Sequence, residues 1–230
     1  MAFIFSTDAT GQEFESGVKS VLALPENKTM EAVAIEHFNT SDVSVSAQLG
    51  RIKAANPQSF VAWSTGAPIQ TIFRGMIQVG LDVPTVTTDG NMTYAQMAQY
   101  RSFLPKPLYM PAGEYIAHDP KIVPEAVAKA QDEFYAAFKS ANSKPDEPSE
   151  LAWEPAMLVV HALRTLGPQA TAQQIREFLA HLKGFASIDG VYDFEKVPQR
   201  GLDESNSVMT LWSDQAQTWE VVSKPGGAPL

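Results

Sequence analysis

Residues 60–68 read Phe-Val-Ala-Trp-Ser-Thr-Gly-Ala-Pro, and this stretch decides the fold class. Its apolar first half is typical of a buried strand, and Ser-Thr-Gly-Ala is typical of a tight loop. Pro68 suits the first turn of a helix, whose apolar positions then recur at helical spacing as far as Ile77. A buried strand that leads through a short loop into an amphipathic helix is the repeating unit of a parallel sheet.

The same order of strand, loop and helix continues along the first 110 residues. Helices with one apolar face are predicted from residue 12, from Pro68 and at 94–100, with short connections between elements. This alternation predicts an α/β fold in which helices flank a parallel sheet. The predicted strands are residues 2–5, 30–35, 59–63, 84–87 and 108–110.

The second half of the chain has a different pattern. Helices are predicted at 124–142, at 151–166 and after Thr171, and the apolar helix 151–166 is expected to be mostly buried. The period then changes to two, which predicts strands, the last two of them joined by the loop 213–217. The Gly- and Pro-rich end, residues 224–230, is predicted to be disordered. These later strands are residues 191–194, 208–212 and 219–222.

Composition excludes several classes of protein. The 230 residues carry 17 Lys and Arg against 26 Asp and Glu, and this acidic balance argues against a nucleic-acid partner. The absence of cysteine excludes a disulfide scaffold and a cysteine nucleophile. The chain opens on a short apolar run that leads straight into Ser-Thr-Asp, which reads as a buried strand rather than a signal peptide.

Three polar loops follow predicted strands and form the candidate binding site. Ligands of open parallel sheets bind outside the carboxyl ends of the strands, where such loops meet. The loops offer hydroxyl and backbone donors, and two of them bring a carboxylate that can hold an ammonium group. The alternative is that they are ordinary turns with helix caps. The site residues are Asp8, Thr10 and Gly11, then Ser64, Thr65, Gly66 and Ala67, then Asp89, Gly90 and Asn91.

No motif for catalysis or metal binding accompanies these loops. The chain has no glycine-rich dinucleotide fingerprint, no phosphate-binding loop and no Gly-x-Ser-x-Gly elbow. Its four histidines are scattered without ligand spacing, and His161 lies in an apolar helix, where a packed side chain is expected. The sequence therefore predicts no catalytic residue, no metal and no cofactor.

Several stretches together resemble a known family: residues 41–57, 60–68, 80–84 and 87–90, with Gly-Val-Tyr-Asp-Phe at 190–194. They are similar to the substrate-binding proteins of branched-chain-amino-acid-type ABC transporters, which have the type I periplasmic binding fold. The resemblance implies two α/β lobes, a small ligand held without catalysis, a membrane permease as partner and a periplasmic location. The implied ligand is an amino acid, an amide or an aromatic or aliphatic carboxylate.

The resemblance also implies a division of the chain and roles for individual residues. Residues 1–114 with 190–223 correspond to the second lobe, and 119–187 to helices of a first lobe whose sheet is absent. The chain is thus expected to be truncated and its ligand cleft incomplete. Asp89 stands where the family often places an acid for the ligand's ammonium. Thr10 stands where many amino-acid-binding members have an aromatic residue. The loop 65–67 likewise lacks the aromatic residue found in some members.

Other functions remain open at this point. One is a ligand-sensing regulatory domain of the same fold without a role in transport, and another is an α/β enzyme. Separately, helices without their sheet would expose apolar side chains, which predicts a homodimer through that surface. The side chains expected to be exposed are Phe134, Leu158, Val159 and Leu163.

Overall fold

The computed structural model describes all 230 residues. Contacts divide the chain into two compact units. Unit 1 comprises residues 1–110 and 211–218, and unit 2 comprises residues 111–210 and 219–230. The predicted division into lobes stays a prediction, because compact units and family lobes are different divisions of a chain.

Strand and helix alternate throughout unit 1, as the sequence predicts. Hydrogen-bonded pairs run parallel in the order β2-β1-β3-β4-β5. This confirms the parallel sheet flanked by helices. The elements are β1 (Ala2–Ser6), α1 (Ala9–Leu22), β2 (Ala34–Phe38), α2 (Ser46–Ala54), β3 (Phe60–Trp63), α3 (Ala67–Val79), β4 (Thr85–Thr87), α4 (Tyr94–Tyr100) and β5 (Leu108–Gly113).

The core of unit 1 is built around β1, which is buried along its whole length. Phe3 and Phe5 of this strand cluster with Val61 of β3, and the apolar face of α1 packs on them through Phe14 and Val18. Burying each such side chain contributes roughly 1.5–3 kcal/mol. The central strand and its first helix are therefore held together mainly by apolar contact.

Unit 2 contains three helices and an antiparallel strand pair, β6 with β7. Strands β8 and β9 follow β5 in the order of the seven-stranded sheet. An apolar cluster of unit 2 consists of Tyr115, Phe134 and Ile188. The elements are α5 (Glu125–Ser140), α6 (Glu147–Leu166), α7 (Ala172–Ala180), β6 (Lys183–Ser187), β7 (Gly190–Asp193), β8 (Ser207–Ser213) and β9 (Thr218–Val221).

Two strand predictions are wrong. The second strand begins at Ala34 instead of residue 30, because it pairs with β1 from Ala2 opposite Ala34, while Met30 and Val33 are exposed. Strand β6 lies within a stretch predicted as helical. Its residues become a strand by pairing with β7 across a bulge, a partner that local pattern does not reveal.

Predictions about exposure in unit 2 are also partly wrong. Helix α6 buries only Glu154 and Ala162, because its apolar composition does not say what packs against it. Phe134, expected at the surface, is fully buried. At the end of the chain an isolated bridge joins Ser223 to Pro229, and the disorder of residues 224–230 stays a prediction. In contrast, His161 is packed as expected, with its ring centroid 4.6 Å from that of Phe185.

Candidate functional site

The carboxyl ends of β1, β3 and β4 bring the three predicted loops to one edge of the unit 1 sheet. Strand β3 lies between the other two, paired in register with β1 from Phe60 opposite Ala2 and with β4 from Phe60 opposite Thr85. Parallel strands end at the same edge, so the segments that follow them lie side by side. The three loops therefore share one surface, as the sequence predicts.

Asn91 ties the loop after β4 to the loop after β3. Its side chain is fully buried, and Oδ1 accepts a hydrogen bond from the Gly66 N–H at 3.1 Å. Nδ2 donates to the Ser64 carbonyl at 2.8 Å and to the Thr87 hydroxyl oxygen at 3.0 Å. Because these bonds occupy both ends of the amide, Asn91 holds the two loops at a set distance.

Replacing Asn91 by alanine is expected to lower the free energy of unfolding of unit 1 by about 2 kcal/mol or more. Three hydrogen bonds disappear, and the backbone carbonyl of Ser64 and the N–H of Gly66 lose their buried side-chain partner. Urea unfolding followed by circular dichroism measures this loss. Gln99→Ala removes an exposed amide from α4 and serves as the matched control. Equal stability of the two variants would contradict the role given to Asn91.

Asp89 presents its carboxylate at the surface of this edge. Oδ1 accepts hydrogen bonds from the Thr88 hydroxyl at 2.7 Å and from the Gly90 N–H at 2.9 Å. Thr88 is buried and caps the short turn Asp89–Asn91. These bonds hold the carboxylate in one orientation, which suits it to an ammonium group. Thr88 begins the predicted loop Thr-Asp-Gly-Asn, a typical turn pattern, but is not among the predicted site residues.

The loop predicted after β1 is largely the first turn of α1, so its prediction as a loop at 8–11 is wrong. Asp8 caps this helix, and its Oδ1 accepts from the Ser6 hydroxyl at 2.7 Å and the Gly11 N–H at 3.1 Å. Gly11 is buried against the backbone of Ser6. Asp8 and Gly11 thus shape the end of the site, and Thr10 is exposed beside them.

A cavity of about 610 Å³ lies next to this edge and was missed by sequence reasoning. It meets the predicted site at Ala67, and its wall is formed by residues 40–45 and one side of α3. Thr71, Gln70 and Arg74 give it a polar lining. No local motif indicates it, because its two sides come from segments 22 to 38 positions apart that meet only when α2 packs on α3.

The fold is of one class, the type I periplasmic binding fold. A family model described as periplasmic binding protein matches residues 1–204, and the chain belongs to this family. A search of curated protein sequences finds no match to this chain. No helix is both long enough and apolar enough to span a membrane.

Solved structures share the fold at low identity. An extracellular ligand-binding receptor from Rhodopseudomonas palustris HaA2 aligns with 96% of this chain at 20% identity and a TM-score of 0.79. A leucine binding protein from Thermotoga maritima aligns with 96% of this chain at 16% identity and a TM-score of 0.71. A branched-chain amino acid transporter substrate binding protein from Streptococcus pneumoniae was solved in complex with isoleucine. It aligns with 97% of this chain at 19% identity and a TM-score of 0.67. The chain spans 62%, 59% and 60% of these three proteins.

Proposed function

We propose that this chain is part of a solute receptor that serves an ABC transporter. It binds an amino acid or a related small carboxylate or amide at the carboxyl edge of β1, β3 and β4. The observation that carries the proposal is the oriented, exposed carboxylate of Asp89 beside the loops that Asn91 ties together. Membership of the periplasmic binding protein family supports it, as do the leucine and isoleucine in the descriptions of two similar structures.

Each predicted residue has a role in this proposal. Asp89 binds the ligand's ammonium, and the exposed Thr10 and Thr65 offer hydroxyl groups. Asn91 positions the loops rather than touching the ligand, because both ends of its amide are already bonded. The remaining site residues shape the loops and supply backbone groups: Asp8, Gly11, Ser64, Gly66, Ala67 and Gly90. No bond of the ligand is broken, so the function is binding and delivery.

The partners and location follow from the same proposal. A receptor of this type works in the periplasm and presents its ligand to a membrane permease. A second copy of the chain is the proposed partner of α6. Leu151, Val159 and Leu166 of this helix are 59%, 39% and 42% exposed, and spacings of eight and seven residues keep them on one side. A monomer mass in light scattering would contradict the homodimer.

Titration calorimetry with a panel of amino acids and the matching carboxylic acids without an amino group tests the binding site. We expect Asp89→Asn to weaken amino-acid binding at least about tenfold, because the neutral amide loses its charge pairing with ammonium. Binding of the acids without an amino group changes little. The control Asp82→Asn removes an exposed charge from the loop before β4. Unchanged amino-acid affinity in Asp89→Asn would refute the assigned role.

A further inference from the structure

Unit 2 contains a small polar cavity with a buried carboxyl group in its wall. The cavity measures about 220 Å³ and is lined by Glu114, by Val191 and Asp193 of β7, and by residues 196–197, 201–203 and 205–206. Glu114 is only 3% exposed. Its Oε1 accepts a hydrogen bond from Asn206 Nδ2 at 3.1 Å, whereas the buried Oε2 has no hydrogen-bond donor. A buried acceptor without a donor carries a free-energy cost, which a ligand with an N–H group would remove.

A glycine brings the amide close to this carboxyl group. Gly190 has a φ of +142°, and a Cβ built on it would lie 2.4 Å from Nδ2 of Asn206. Any other residue here would push Asn206 out of its place beside Glu114. The wall of the cavity is therefore formed by close packing of three segments, and the carboxyl group has a defined position within it.

The rim of the cavity carries further carboxylates, and its hydrogen-bond donors are already bound by them. Lys196 is the one basic residue of the lining, and its Nζ lies 3.2 Å from Oδ2 of Asp203. Ser205 donates its N–H and its hydroxyl to Oδ1 of the same Asp203. Asp193 accepts the N–H groups of Glu195 and Lys196 at 3.0 and 2.9 Å. The lining thus carries three carboxyl groups, those of Glu114, Asp193 and Asp203, but only one ammonium group, that of Lys196. This excess of negative charge favours a cationic ligand.

We propose that this cavity binds a small organic ammonium ion, which donates an N–H hydrogen bond to Oε2 of Glu114. The volume is that of roughly seven water molecules, which suits a ligand with a few heavy atoms. A metal ion fits less well, because no group of three His, Asp or Glu side chains is placed to hold one. Its lining residues belong to unit 2, whereas the loops of the proposed function belong to unit 1, and the site does not depend on that function.

The ionisation of Glu114 supports an ammonium ligand. Burial raises the pKa of Glu114 to about 7, the bond from Asn206 opposes this rise, and the charge of Asp189 adds to it. At pH 8 the carboxyl group is thus mostly ionised, and its charge has no cationic partner within salt-bridge distance. A bound ammonium would stabilise the ionised form and lower the pKa.

The test follows the side-chain carboxyl carbon of Glu114 by NMR in the full chain, first at pH 8 and then in a pH titration. We expect methylammonium chloride to shift this signal saturably and to lower the proton affinity of Glu114 about tenfold. Tetramethylammonium carries the same charge without an N–H group and should do neither. Absence of a saturable shift, or an equal shift with tetramethylammonium or potassium chloride, would overturn the proposal.

Two variants complete this experiment. Glu114→Gln assigns the carboxyl signal and should abolish methylammonium binding in calorimetry. Glu204→Gln removes an exposed charge near the rim and should bind as the unmodified chain does. Equal loss of binding in both variants would reduce the effect to general electrostatics and refute the site. If Glu114→Gln does not fold, the carboxyl signal of the unmodified chain still tests the proposal. The comparison is then between the shifts that methylammonium and tetramethylammonium cause.

Discussion

Replacing Gly11 by alanine is expected to lower the free energy of unfolding of unit 1 by at least about 3 kcal/mol. A Cβ at this position would lie 1.8 Å from the carbonyl oxygen of Ser6 and 2.7 Å from its carbonyl carbon. Both atoms belong to the backbone of β1, which cannot turn aside as a flexible side chain can. Helix α1 would therefore have to move away from β1 and take Thr10 of the proposed site with it.

Urea unfolding of the variant measures this loss, and a second glycine of the same helix provides the control. Gly17 is exposed, and a Cβ added there would meet nothing within 4 Å. Gly17→Ala should stabilise unit 1 by up to about 1 kcal/mol, because alanine favours the helix. Opposite effects of the same substitution at two positions of α1 would identify close packing as the cause. A stable Gly11→Ala variant would disprove it.

The second large effect is a loss of stability in unit 2 as the pH rises from about 4.5 to 8. Burial raises the pKa of Glu154 to about 7, and the charge of Asp189 adds to the rise. The Tyr192 phenol and Glu150 also face this group. The folded chain keeps the Glu154 proton to about pH 7, whereas the unfolded chain releases it near pH 4.5. The stabilising contribution of the protonated Glu154 side chain is complete below pH 4.5 and is lost as the pH rises through 7.

Glu154→Gln should remove roughly 3 kcal/mol of this pH dependence, since the amide stays neutral throughout. Its Oε1 can still accept the hydrogen bond from the Asp189 N–H, which is 2.8 Å long in the unmodified chain. Urea midpoints at several pH values measure the slope. The control Glu133→Gln, on the exposed side of α5, should keep the full dependence. An unchanged slope in Glu154→Gln would show that Glu154 is ionised in the folded chain.

Elements with strong local signals could be predicted well from the sequence. Helix α4 has the predicted bounds, and α3 ends at Val79, directly before Gly80, whose left-handed conformation suits a glycine after a helix. Thr171 forms a capping box at the start of α7. Each signal lies within a few residues of the boundary that it sets. Strands β2 and β6 were misplaced or missed because a strand depends on a partner that is distant in sequence.

The candidate site shows the same limit. The placement of its three segments could be predicted because parallel strands bring their carboxyl ends to one edge, although residues 9–11 form the first turn of α1 rather than a loop. The bonds of Asn91 to Ser64, Gly66 and Thr87 could not, since they link residues that are 25 and 27 positions apart in two cases. The larger cavity beside Ala67 depends likewise on the packing of α2 on α3.

The class of fold and the family resemblance could be predicted from the sequence, and so could the edge of the sheet where the candidate segments meet. These features follow from periodicity, turn residues and strand order, which are local or repeat along the chain. Only the folded chain shows that Gly11 must lack a side chain, that Asn91 joins two loops, and that Glu114 and Glu154 are buried. The physical reason is that close contact and desolvation depend on neighbours that folding brings together from distant positions.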